Sequence, residues 1–249
     1  MLRRLRDILE MIKFSHTVFA MPFAIMAAFL AAREDGGPSA ATHLGKLGLV
    51  VAAMVTARSA AMAFNRLADV RFDAANPRTA TRHLPAGRLT AASVWLFTAA
   101  ASAGFLAACW GFDAAYGNPW PLRLGVPVLL FVCGYSLAKR FTALAHFWLG
   151  ASLMIAPVAT FIAFRGTAGD IGIRPEAWLI GAAVLFWTAG FDIIYACQDA
   201  EFDRAAGLHS VPARLGVAGA LWVSRACHVA AVAALVAVGR SADLHLLYW

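Results

Sequence analysis

Charge is what this sequence has little of. Of 249 residues only 14% are charged, with fourteen acids against 21 lysines and arginines, while 61% are hydrophobic. A soluble domain carries about 25% charged and about 45–50% apolar residues, so an ordinary water-soluble fold is excluded. Cysteine is scarce as well. Cys109, Cys133, Cys197 and Cys227 all fall in apolar runs and form no C-x-x-C pair, which argues against a zinc site or a disulfide framework and for small buried hydrophobes. The glycine patterns of P-loop and Rossmann proteins are absent. No soluble domain, low-complexity tract or long linker is visible.

What is present is a series of apolar runs. A hydrocarbon core of about 30 Å takes about 20 mostly apolar residues to cross, and seven such runs lie near 14–32, 47–64, 91–110, 122–138, 144–164, 177–197 and 217–239. The sequence therefore predicts an all-α, multi-pass transmembrane helix bundle, a single integral membrane domain over 1–249. MLRRLRD followed by an apolar run is reminiscent of a signal peptide, but the length of that run and the six spans after it favour an uncleaved first helix. The basic excess follows the membrane and gives no reason to expect nucleic acid. Thirteen of the 21 lysines and arginines fall in the N-terminus and in the segments after spans two, four and six, against six in the other connections. That asymmetry places the N-terminus and those three segments in the cytoplasm of a cell (inner) membrane protein. The three segments read NRLADVRFDAANPRTATRH, YSLAKRF and DIIYACQDAEFDRAAGLHS, whereas REDGGPSAATHLGK and FDAAYGNPWPLR on the other side are turn-forming.

Positions four apart on a helix share a face, since four steps of about 100° overshoot one turn by about 40°. Asn65, Asp69 and Asp73 thus form one oxygen-rich stripe, and Asp192, Asp199 and Asp203 a second. Arg66 and Arg71 are expected on other faces, pairing with these acids at best in part. Asp192 is deepest, where an ionised carboxylate costs about 2.5 kcal/mol or more unless it meets a cavity or a partner. So many carboxylates at one polar mouth would repel one another without a cation. Oxygen ligands without His or Cys select a hard divalent ion, and Mg²⁺ with few protein carboxylates commonly takes the rest of its shell from water and phosphate. Arg78, Arg82, Lys139 and Arg140 are suited to phosphate oxygens. A diphosphate held at a membrane face with its tail in lipid is an isoprenoid diphosphate.

These residues resemble the UbiA superfamily of intramembrane aromatic prenyltransferases. The resemblance rests on N-x-x-x-D-x-x-x-D at Asn65 to Asp73 followed by NPRTATRHLPAG, on Y-x-x-x-K from Tyr135 to Lys139, and on D-x-x-Y-A-x-x-D-x-x-x-D-x-x-x-G-x-x-S-x-P from Asp192 to Pro212. It implies a bundle of nine helices around a cavity open to lipid, of which this chain holds seven spans and, in SADLHLLYW, the start of an eighth. It further implies that Asn65, Asp69 and Asp73 bind one Mg²⁺-diphosphate cluster and Asp199 and Asp203 a second, with Asp192 lining the cavity. Lys139 would contact the diphosphate, Tyr135 would orient it or the lysine, Arg78 and Arg82 match basic positions after the first motif, and Arg140 would meet the acceptor's carboxylate or the phosphate.

MIKFSHTVFAMPFA, AMAFNR and DIIYACQDAEFDRAAGLHSVPARLG resemble the 4-hydroxybenzoate polyprenyltransferase-like branch associated with the futalosine route to menaquinone. On that resemblance the expected reaction joins a polyprenyl diphosphate to an aromatic acid, a dihydroxynaphthoate first and 4-hydroxybenzoate of ubiquinone biosynthesis as the alternative. A carboxylate-relay transporter is the rival from another class. Phe64, Phe72, Phe191 and Trp187 are wall residues or packing. His16 and His146 are read as interhelical hydrogen-bonding residues, Arg225 and His228 as lying two turns inside the last span, and His209 as accompanying the second motif.

Overall fold

The computed structural model describes residues 2–12, 21–33, 39–245 and 248, with side chains from residue 6 onward. The elements are α1 (Leu2–Met11), α2 (Met21–Arg33), α3 (Ala40–Ala68), α4 (Val70–Ala75), α5 (Ala91–Tyr116), α6 (Trp120–Ala138), α7 (Ala145–Arg165), α8 (Pro175–Ala196), a 3-10 turn (Cys197–Asp199), α9 (Ala200–Ala205) and α10 (Val211–Ser241). Among the described residues there is no strand. Six stretches are long and apolar enough to cross a membrane: α3, α5, α6, α7, the run from α8 through α9, and α10. The first expected span, 14–32, is represented by α2 alone, since residues 13–20 lie outside the described set.

Caps explain where the helices outrun the apolar runs. Helix α3 begins seven residues before the expected 47, because Ser39 Oγ accepts from Thr42 N–H at 3.3 Å. Helix α10 carries a break at Gly216, whose φ of 69° only glycine adopts readily, so its regular stretch starts at 217 as the hydropathy suggests.

The expected eighth helix does not begin within 242–245. Instead Asp243 takes φ 45°, its N–H bonds Arg240 O, and Leu244 N–H bonds Gly239 O at 3.0 Å, a left-handed cap that closes α10. Tyr248 Oη donates to Leu235 O of α10 at 2.9 Å.

Helix α8 lies between α7 and α10, α3 pairs with α5, and α6 bridges α3, α5 and α7. Lipid is as apolar as leucine, so helices in it associate through close packing. Ile180, Ala183, Val184, Ala189 and Ile193 of α8 are buried accordingly. Gly150 brings α7 onto α8 so closely that a Cβ there would overlap Leu185 O. Trp95, Leu96, Trp110, Leu130 and Trp222 face outward, which suits a lipid solvent. The C-terminal ends of α3, α6 and α8, with α4, α9 and the 76–90 segment, gather at one end of the bundle. Helix α1 packs there too, with Met11 and Ile12 against Ala63, Leu89 and Val94.

Candidate active site

The first stripe survives a change of helix. Helix α3 stops at Ala68 and α4 starts at Val70, with Asp69 at φ −94° and ψ 4° between them. The four-residue bonding continues across the joint, Asp69 N–H to Asn65 O at 2.9 Å and Asp73 N–H to Asp69 O at 2.7 Å. Asn65, Asp69 and Asp73 therefore stay on one side, and Asn65 Nδ2 donates to Asp69 Oδ2 at 2.9 Å. The second stripe crosses three elements: Asp192 lies four residues before the end of α8, Asp199 closes the 3-10 turn and Asp203 lies in α9.

Both stripes border a cavity of about 320 Å³, together with Tyr135, Lys139, Arg140, Arg78 and Arg82, so every residue singled out from the motifs meets there. Arg82 Nη1 donates to Asp73 Oδ1 at 2.6 Å. Arg78 forks onto Asp199, with Nε to Oδ1 at 2.9 Å and Nη2 to Oδ2. Lys139 Nζ lies 3.2 Å from Asp203 Oδ2. Arg140 Nη2 donates to Ala68 O at 2.6 Å, where the C-terminus of α3 presents unpaired carbonyls, and its guanidinium lies over Phe72.

These contacts change one expectation. The carboxylates do not depend on a metal to coexist, because five acids (Asp69, Asp73, Asp192, Asp199, Asp203) share the cavity with five cations (Arg66, Arg78, Arg82, Lys139, Arg140). Arg66 is one of them, 3.9 Å from Asp73 Oδ2; seven residues make nearly two turns, which puts the two on the same face. Arg71 stays exposed and outside the cavity. Compensation is incomplete at Asp69. Burial and then the Asp73 charge push its carboxyl up to about 6, against the opposing pull of Arg140 and the Asn65 hydrogen bond. At Asp73, Oδ2 is buried and has no hydrogen-bond partner among the described residues.

Two contributors escaped the motifs. Asn76 Nδ2 donates to Asp199 Oδ1 at 3.1 Å while its Oδ1 accepts from Arg78 N–H, joining the two halves of the site. An Asn before Pro reads as a turn former, and its partner is 123 residues away. His146 is interhelical as expected, but its partner is Asp192, at 2.7 Å from Nδ1 to Oδ2. Of the four proposed wall aromatics only Phe72 lines the cavity, joined by Tyr195 and Phe202. Phe64 packs on Trp95, and Trp187 on Phe23 and Phe191, because their helix positions turn them away from it. His209 and Arg225 lie outside it: the His209 N–H bonds Lys139 O, and Arg225 stacks on Trp222. His228 Nδ1 donates to Ser224 O at 2.8 Å within α10, and His16 lies outside the described residues.

The sequence profile of the UbiA prenyltransferase family matches residues 20–249. The chain belongs to this family. Among curated relatives of this UbiA-family protein, the 4-hydroxybenzoate octaprenyltransferase of Nitrosomonas europaea is 32% identical over 196 residues, 78% of this chain and 62% of that protein. The mitochondrial 4-hydroxybenzoate polyprenyltransferase of Caenorhabditis elegans is 34% identical, over 79% of this chain and 52% of that one. The chain thus spans between about half and three fifths of the curated relatives' length. A UbiA homolog from Aeropyrum pernix K1, solved in its apo form, superposes with a TM-score of 0.84 at 36% identity, covering 94% of this chain and 82% of that one. A homolog from Archaeoglobus fulgidus solved with DMAPP and Mg²⁺ shares the fold, with a TM-score of 0.70 at 19% identity over 97% and 80% of the two chains.

Proposed function

We propose that this UbiA-family protein is a prenyltransferase that moves a polyprenyl group from polyprenyl diphosphate to a hydroxylated aromatic acid, with Mg²⁺ as cofactor. The observation that carries the reading is the cavity at one end of the bundle, lined by five acids and five cations. Its five cations each lie within 4 Å of one of four acids, Asp69, Asp73, Asp199 and Asp203, so a ligand that brings both signs can exchange these pairs without leaving net charge in a low-dielectric site. A magnesium diphosphate is such a ligand.

The residues fit the metal. Asp73 Oδ2 is a buried carboxylate oxygen with no hydrogen bond, and the donor set of Asn65, Asp69, Asp73, Asp199 and Asp203 is all oxygen. When bound, Mg²⁺ would supply Lewis-acid neutralisation of the leaving diphosphate. The chain's own groups do the rest. Arg78, Arg82 and Lys139 leave Asp199, Asp73 and Asp203 to hold phosphate oxygens, with arginine offering two parallel bonds. Arg140 supports the same end, and Tyr135 lines the wall beside Lys139. Stabilising negative charge on the departing group lowers the barrier to breaking the allylic C–O bond. Met62, Phe72, Leu149, Tyr195 and Phe202 present apolar surface that keeps water from the allylic cation. An electron-rich ring carbon then takes up the cation, and the ring loses a proton.

For the acceptor, the names of the relatives favour 4-hydroxybenzoate over the dihydroxynaphthoate that the motif resemblance put first. The basic asymmetry supports a cytoplasmic opening of the site in a single integral membrane domain. A transporter with a carboxylate relay is less well supported, because the acids gather with phosphate-suited cations at one end of the bundle. The test is transfer from labelled polyprenyl diphosphate to 4-hydroxybenzoate and to a dihydroxynaphthoate in parallel, by purified protein with and without Mg²⁺. Asp69→Ala and Asp199→Ala should abolish transfer while the protein remains folded in the membrane; full activity in either variant would sink the reading.

A further inference from the structure

His146 is the second residue of α7 and only 1% exposed, yet it bonds to two other helices, α8 and α10. Val211 N–H, at the start of α10, points to His146 Nε2 at 3.3 Å. A backbone N–H can only donate, so Nε2 is the acceptor and the ring proton sits on Nδ1. That proton faces Asp192 Oδ2 at 2.7 Å. Asp192 is 31% exposed in its side chain and lines the cavity, and its Oδ1 has no protein partner among the described residues.

We infer that His146 is a positioning residue that presents Asp192 Oδ1 as the proton acceptor for the aromatic ring; this rests on the prenyl-transfer reading. In the step it serves, the allylic C–O bond breaks with its electron pair going to diphosphate, a ring π pair forms the C–C bond, and the proton on that ring carbon passes to Asp192. The proton goes no further along the pair. Nδ1 already carries one and the Nε2 lone pair is held by Val211, so Asp192 must release it to the cavity. His146 thereby fixes a base without becoming one, the reverse of the usual arrangement in which a carboxylate orients a histidine.

Partners that orient a metal ligand through one hydrogen bond commonly contribute about 10–100-fold, and a partner that orients a carboxylate base is expected on the same scale. His146→Leu should lower kcat with geranyl diphosphate and 4-hydroxybenzoate by about 10–100-fold while leaving KM for the diphosphate within about twofold. His146→Asn, whose amide N–H can stand where Nδ1–H does, should recover most of that kcat. A His146→Leu kcat within about twofold of wild type, or equal losses in the two variants, would overturn the inference. Nitrogen-15 spectra of histidine-labelled protein, with His146→Asn as the assignment control, should show a neutral ring protonated on Nδ1 that shifts in Asp192→Asn; a proton on Nε2 would also overturn it. A wild type that transfers no prenyl group would remove the reading it rests on, and the nitrogen spectrum would still decide the geometry.

Discussion

Magnesium binding should be coupled to proton release at Asp69. This carboxyl sits 29% exposed between α3 and α4, and burial with the nearby Asp73 charge raises it to about 6. A carboxylate must be ionised to ligate, so metal affinity is complete well above pH 6 and is lost as pH falls through it. At a pKa of about 6 the group is half protonated at pH 6 and about nine-tenths protonated at pH 5, which weakens Mg²⁺ binding about 11-fold, or about 1.4 kcal/mol, relative to pH 8. An ordinary aspartate near 3.9 would cost less than about 10% in affinity at pH 5. Titration calorimetry of the detergent-purified protein in buffers of different ionisation enthalpy reads both quantities. About half a proton should leave per Mg²⁺ at pH 6 and almost none at pH 8, and Asp69→Asn should bind more weakly with a flatter pH dependence. Unchanged affinity between pH 5 and 8, or proton release that persists in Asp69→Asn, would refute the reasoning.

Asn76→Ala removes the hydrogen bond to Asp199 and the one that holds Arg78 N–H. Hydrogen bonds to charged groups contribute about 1.5–3 kcal/mol, so kcat/KM for the prenyl diphosphate should drop at least about tenfold, as steady-state kinetics will show. Gly150→Ala places a methyl against Leu185 O and should cost about 1–3 kcal/mol, lowering the melting temperature in detergent, whereas Gly169→Ala, which meets nothing within 4 Å, should leave it unchanged.

The motif residues lie together as their spacing predicts where neighbours in space are neighbours along a helix. Asn65, Asp69 and Asp73 are four apart, and the backbone bonds between them persist even though α3 ends inside the stripe. Arg66 is expected on another face from Asp69 and Asp73, yet the seven residues to Asp73 make nearly two turns and bring the two within 3.9 Å. His146 and Asp192 are 46 residues apart and Asn76 and Asp199 are 123 apart; neither pair shares an element, so no periodicity could join them. At 242–245 the decision is local: SADLHLLYW is compatible with a helix, and the left-handed backbone at Asp243 closes α10 there.

By itself, then, the sequence determined the solvent, the class of fold and most of the polar residues that line the cavity. Too few charges remain for a water-facing surface, an uninterrupted apolar run in lipid must be helical to satisfy its backbone, and the motif residues follow helix spacing. Only the tertiary structure decided how those residues are partnered. Close packing of α8 between α7 and α10, and of α3 beside α6, sets which acid meets which cation and gives Asp192 its histidine. Such contacts between distant segments depend on helix approach and side-chain direction, which spacing along one helix does not encode.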